Sequence, residues 1–238
     1  IAKERTANAA DFTFNFVGSF DLEVLRPLVE KYIATLPTCT CRESVTPVEH
    51  FAKGENLNHF TIPMENPAAS VYVIYSGTSE YTMRKGIMMD IFSQIMDIVY
   101  TETIREQEGG TYGVGVRGSI SKYPEGEYSL LVNFNMSPER REELAAIIVR
   151  EFEKLAAQGP VAEHVEKVRS YMLKSFEESQ KKNGAWMNWL YSYYFDGEDN
   201  YSGYEELVKG ITAEDIRLLA KYILDQGNFI EVSMTPAE

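Results

Sequence analysis

The 238 residues include 44% hydrophobic side chains, 15 Tyr and 12 Phe, and carry a formal net charge of -13. This composition supports a packed core rather than a disordered chain, and the negative field repels phosphate backbones, which argues against nucleic acid as a partner. No apolar run reaches the ~20 residues of a membrane-spanning helix. The chain starts Ile1-Ala2-Lys3-Glu4-Arg5, without an initiator Met or an apolar leader. It is therefore expected to be a piece of a longer protein.

In chain order, Phe12-Thr13-Phe14-Asn15-Phe16-Val17 alternates apolar and polar residues and predicts a half-buried strand. Asp21 is placed to cap a helix with Leu22, Leu25, Leu28, Val29 and Tyr32 on one face, stopped at Pro37. Residues 38–56 read as a polar linker. Within it stands Cys39-Thr40-Cys41. On an extended chain these side chains face opposite ways, which is poor disulfide geometry, and a tetrahedral metal site would need more ligands. Two free thiols are expected.

Two strands follow, over 58–63 and 69–76. The strongest helix runs over 82–106, where Ile87, Ile91, Ile95, Ile98 and Val99 recur at spacings of three and four. That stripe is wide enough to lie on a sheet. After Gly109-Gly110, strands over 111–120 and 126–135 are joined by a turn around Pro124 and Gly126. Ser137-Pro138 is expected to cap and open a helix lined by Leu144, Ile147, Ile148, Phe152 and Leu155, closed by Gly159-Pro160. Helices then follow over 161–182, 185–195 and 212–224, and a last strand over 229–234. Residues 2–17 and 220–234 repeat one another weakly, each as a helix tail, a polar break and an alternating strand. The pattern predicts an α/β fold in two layers, with a mixed, largely antiparallel sheet and helices on one face.

The only histidines are His50, His59 and His164. A His-x-x-Glu-His zinc motif fails at both places where it could form: Pro160 stands four residues before His164, and Thr46 four before His50. No His-Glu-x-x-His order, nucleophile elbow or phosphate loop is present. No metal ligands are therefore assigned within this chain, and each histidine is expected on the surface or in a loop. Arg105 and Tyr112 remain, seven positions apart around the glycine pair. Each has a structural alternative. The arginine complements a helix C-terminus, worth ~0.3–1 kcal/mol, and the tyrosine can pack as an edge residue. Periodicity alone favours the structural reading of each.

The run Arg105-Glu106-Gln107-Glu108-Gly109-Gly110-Thr111-Tyr112, after a long helix and before an alternating strand, resembles the second-site motif of the insulinase/pitrilysin family of zinc peptidases. Phe16-Val17-Gly18-Ser19-Phe20-Asp21 with Leu36-Pro37, Gly159-Pro160-Val161-Ala162-Glu163, and Ile211-Thr212-Ala213-Glu214-Asp215-Ile216 resemble further family segments in the same order. The likeness spans nearly the whole chain.

The resemblance implies the metallohydrolase fold of mitochondrial processing peptidases. Residues 1–40 would end a preceding homologous module, and 41–238 would form the family's zinc-free C-terminal domain. It implies part of a zinc metalloendopeptidase that cleaves a peptide or small protein in an enclosed chamber, this fragment alone being inactive. Zinc would be bound by an upstream domain of the same polypeptide, polarising the scissile carbonyl and activating water. Tyr112 would donate to the developing oxyanion, and Arg105 would bind a substrate backbone carbonyl. The missing His-x-x-Glu-His fits a C-terminal module. A non-catalytic scaffold or assembly subunit of the same family is the alternative. Similar long members imply a bacterial periplasmic or envelope setting.

Overall fold

The computed structural model describes residues 7–40, 51–65, 68–107, 111–123 and 125–237. Five strands form one sheet: β1 (Glu55–Ile62), β2 (Ala69–Thr78), β3 (Thr111–Ser121), β4 (Glu127–Met136) and β5 (Phe229–Pro236). Their order is β1-β5-β2-β4-β3. β1 pairs parallel with β5, and every other pairing is antiparallel. The described residues contain seven α-helices: α1 (Leu22–Tyr32), α2 (Met83–Tyr100), α3 (Arg141–Gln158), α4 (Ala162–Ser179), α5 (Asn183–Tyr191), α6 (Tyr204–Gly210) and α7 (Ala213–Asp225). The two-layer α/β architecture is the one that the sequence pattern predicts.

The chain divides into two compact units, Ile1–Pro47 with Ser175–Ser202, and Val48–Lys174 with Gly203–Glu238. In the second unit, period-two alternation sends Val71, Val73 and Tyr75 of β2 to the same face as Phe134, Val132 and Leu130 of β4, their register partners. All six are buried. On the other face Ser70 Oγ donates to Asn135 Oδ1 at 2.7 Å and Ser119 meets Ser129 at 3.1 Å. The apolar face is covered by helices. Ile87, Ile91, Ile95 and Phe92 of α2 are buried, as are Leu144, Ile147, Ile148, Phe152 and Leu155 of α3 and Ile216 and Ile223 of α7.

Local signals explain the ends of these helices. Thr82 caps α2 by accepting from the Lys85 N–H at 3.2 Å. Thr212 and Asp215 form a reciprocal capping box on α7. Gly159, at φ 80°, closes α3 in a conformation that a side chain would strain. Ser137, the expected cap of α3, makes no side-chain capping bond, because a short 3-10 turn over Pro138–Arg140 intervenes before the helix starts.

Gly118 sets the approach of α2 to β3. A Cβ there would lie 2.6 Å from Met89 Sδ and would also meet Ser93 Oγ. Met89 is fully buried and Ser93 Oγ donates to the Met89 carbonyl at 2.7 Å. Gly118→Ala should therefore cost about 1–3 kcal/mol by overpacking, read as a lowered denaturant midpoint at constant slope.

The first unit departs from the sequence reading. Phe12–Val17 forms no strand, and Phe12, Phe14 and Phe16 stand exposed. Alternation fits the residues to a sheet, but no ladder partner exists for them among the described residues. The expected correspondence between the two chain ends is thus limited to sequence: Phe229–Pro236 is a strand and Phe12–Val17 is not. α1 is capped by Asp21, which accepts from the Glu23 N–H at 2.8 Å, yet its apolar residues Leu22, Leu28 and Tyr32 are exposed. Cys39 is disulfide-bonded, which corrects the expectation of free thiols. The chain bends at Thr40 rather than running extended; Cys41 lies outside the described residues. Phe176 near the end of α4, Trp186 and Trp189 of α5, and Tyr201 form an aromatic cluster with centroid spacings of 4.9–5.6 Å.

Candidate functional site

The backbone around Arg105 and Tyr112 is irregular at both residues. α2 does not simply continue to residue 106. After Tyr100 it widens into a π-helical turn, Thr101–Gln107, which carries Arg105. Such turns are rare and recur at functional sites. Tyr112 is the second residue of β3. There Thr111 pairs with Met136 and Val114 with Phe134, a register shift in which three steps on β3 match two on β4. This bulge places Tyr112 and Gly113 opposite Asn135, and bulges re-aim side chains beside active sites. Thr111 pins it, its Oγ1 donating to the Asn135 carbonyl at 2.5 Å and accepting from the Gly113 N–H at 3.2 Å. The side chains of Arg105 and Tyr112 lie outside the described residues, as do Glu108, Gly109 and Gly110.

Three contacts hold the turn. Ile104 is fully buried in the core. Tyr100, also buried, donates from its hydroxyl to the Ile148 carbonyl on α3 at 3.0 Å. On the outer side, His164 Nε2 of α4 stands 3.5 Å from Glu102 Oε1. Beside β3, a cavity of about 430 Å³ is lined by Gln94, Asp97, Val116, Arg117, Lys167 and Tyr171, among others. Burial raises the Asp97 carboxyl above its usual range, and a hydrogen bond from the Val116 backbone opposes the rise.

The two described histidines, His59 and His164, do not converge. His50 lies outside the described residues. His59, on β1, has its Nδ1 2.6 Å from Ser233 Oγ and 2.9 Å from the Arg141 guanidinium. His164 is not the surface residue that the sequence implies: its side chain is only 15% exposed. Among the described residues, no group of three or more His, Cys, Asp or Glu side chains could hold a metal ion. Sequence reasoning missed Glu102 and His164, and no motif signals a lone histidine that packs on a turn sixty residues away.

The family profile described as the Peptidase M16 inactive domain matches residues 6–172, a span that includes both Arg105 and Tyr112. Among solved structures, the periplasmic protease PqqL from Escherichia coli is similar at a TM-score of 0.76 and 20% identity, over 92% of this chain and 25% of that one. A protease from Helicobacter pylori is similar at 0.78 and 14% identity, over 92% of this chain and 54% of that one. A peptidase M16 inactive domain from Pseudomonas fluorescens is similar at 0.70 and 16% identity, over 92% and 52%. At these identities the likeness shows the fold. The chain spans between a quarter and about half the length of these three structures. No curated protein matches it. Among the described residues, no helix is long and apolar enough to cross a membrane.

Proposed function

This chain belongs to the M16 peptidase family, matching its inactive domain, and on that premise we propose that it is the zinc-free, substrate-holding domain of a zinc metalloendopeptidase. The observation that carries the reading is the coincidence of two irregularities within the matched span. The π-helical turn bears Arg105, and the bulge bears Tyr112. Both kinds of distortion recur at functional sites.

Arg105 binds a backbone carbonyl of the bound peptide. Its planar guanidinium presents five donors and stays charged at any working pH. Tyr112 donates its phenolic O–H to the oxyanion that develops as the scissile carbonyl becomes tetrahedral. A phenol suits that role because it is neutral near pH 7 and keeps its proton until the charge forms. A preorganised donor of this kind contributes ~3–4 kcal/mol to transition-state stabilisation. Zinc belongs to another module of the same polypeptide, since the ligand set is missing here.

In this reading residues 1–40 end a preceding homologous module and 41–238 form the zinc-free one. The substrate is a peptide or small protein. A periplasmic or envelope setting is supported by likeness to a protease described as periplasmic.

The test begins with this chain alone. After chelation and addition of one equivalent of zinc, metal analysis should find no stoichiometric retention, and peptides should stay intact. Joined to a zinc-bearing family module, the chain should complete a peptidase. Tight one-to-one zinc in the isolated chain would overturn the reading. A joined protein whose rate ignores Arg105 and Tyr112 would instead place the chain among non-catalytic scaffolds.

A further inference from the structure

We propose that His164 is a positioning residue for Arg105, holding the π-helical turn through Glu102. This rests on the role given to Arg105 above. The pair joins elements far apart in sequence, His164 in the first turn of α4 and Glu102 at the second position of the π-helical turn. The ring nitrogen and the carboxylate oxygen are 3.5 Å apart, with the His side chain 15% exposed and the Glu side chain 48%. The ring is thus packed in place while the carboxylate reaches it from a partly hydrated position.

Arg105 follows Glu102 by three residues within the same π-helical turn, so its backbone position depends on how that turn is held. The remaining anchors act from inside. Ile104 fixes the turn to the core, and Tyr100 fixes its start to α3 through the Ile148 carbonyl. Neither restrains the outward side that bears Glu102. A π-helical turn is seldom stable by itself, and without an outer tie it can relax toward α-helical spacing. Relaxation would shift every residue beyond the inserted one, Arg105 among them.

His164 Nδ1 is buried and makes no hydrogen bond among the described residues. A ring that served stability alone would be expected to satisfy both nitrogens or to face water. Here Nδ1 has no partner among the described residues, while Nε2 meets Glu102.

Two measurements test this. In the chain itself, His164→Ala and the more conservative Glu102→Gln should each speed amide hydrogen exchange across 101–107 and leave β2 and β4 protected. In the polypeptide joined to a zinc-bearing module, His164→Ala should lower kcat/KM by about tenfold to a hundredfold, as expected for a catalytic group displaced by up to 1 Å. The loss should appear mainly in KM. His164→Gln, which keeps an N–H donor, should recover part of it. In an Arg105→Ala background, His164→Ala should add nothing. Unchanged exchange across 101–107, or a loss that multiplies fully with that of Arg105→Ala, would overturn the positioning role and leave the proposed function standing. A silent Arg105→Ala would overturn both.

Discussion

Replacing Tyr112 by Phe should slow peptide cleavage about a hundredfold in the joined protein, the lower end for a lost oxyanion donor. The ring is retained, so β3 and its bulge should be undisturbed. Only the hydroxyl is lost. A donor that engages mainly in the transition state acts on kcat and leaves KM close to its wild-type value. Arg105→Ala should raise KM as well, because the contact proposed for it would already form with bound substrate. Melting temperatures of both variants must match wild type, since Arg105 also lies near a helix C-terminus, where a cation contributes ~0.3–1 kcal/mol. Steady-state kinetics on several peptides separate the two effects. Full activity of Tyr112→Phe would make the tyrosine structural.

Ile95→Ala should cost roughly 2–5 kcal/mol of stability. Ile95 has no exposed surface and sits in the α2 stripe between Ile91 and Phe92 on one side and Tyr100 on the other. The truncation leaves a cavity that α2 cannot close without moving off β3, where Gly118 already brings the two into tight contact. Urea unfolding reads the effect as a lower midpoint with an unchanged slope. A negligible shift would place the stripe on a surface and break the two-layer architecture.

Where pairing is local, the fold was legible in the sequence. The three-and-four spacing of Ile87, Ile91 and Ile95 gave the buried face of α2, and the alternation along 69–76 and 126–135 gave the central strands within one or two residues. Features that depend on distant contacts were hidden. Phe12–Val17 carries a strand pattern, but a strand needs a neighbour, and period-two alternation cannot supply one. α6 is seven residues long and follows Gly203, too short for periodicity to mark.

The candidate site was legible as residue types and not as backbone. Arg105 and Tyr112 stood out through the glycine pair between them. The π-helical turn and the bulge each insert a single residue, which changes hydrogen-bond partners and leaves the sequence pattern almost untouched. His164 was invisible as a tie to Glu102, because the contact exists only once α4 packs beside the end of α2.

The central claim is that Tyr112 donates to the reacting carbonyl of a peptide held by another module's zinc. An experimental structure of the joined protein with a phosphinic peptide, whose tetrahedral centre mimics the oxyanion, tests it directly. The account predicts the Tyr112 hydroxyl about 2.7–3.1 Å from a phosphinate oxygen, the distance of a preorganised oxyanion donor, with the Arg105 guanidinium on a neighbouring backbone carbonyl. A bound phosphinate with Tyr112 packed elsewhere, beyond hydrogen-bond reach, would contradict it.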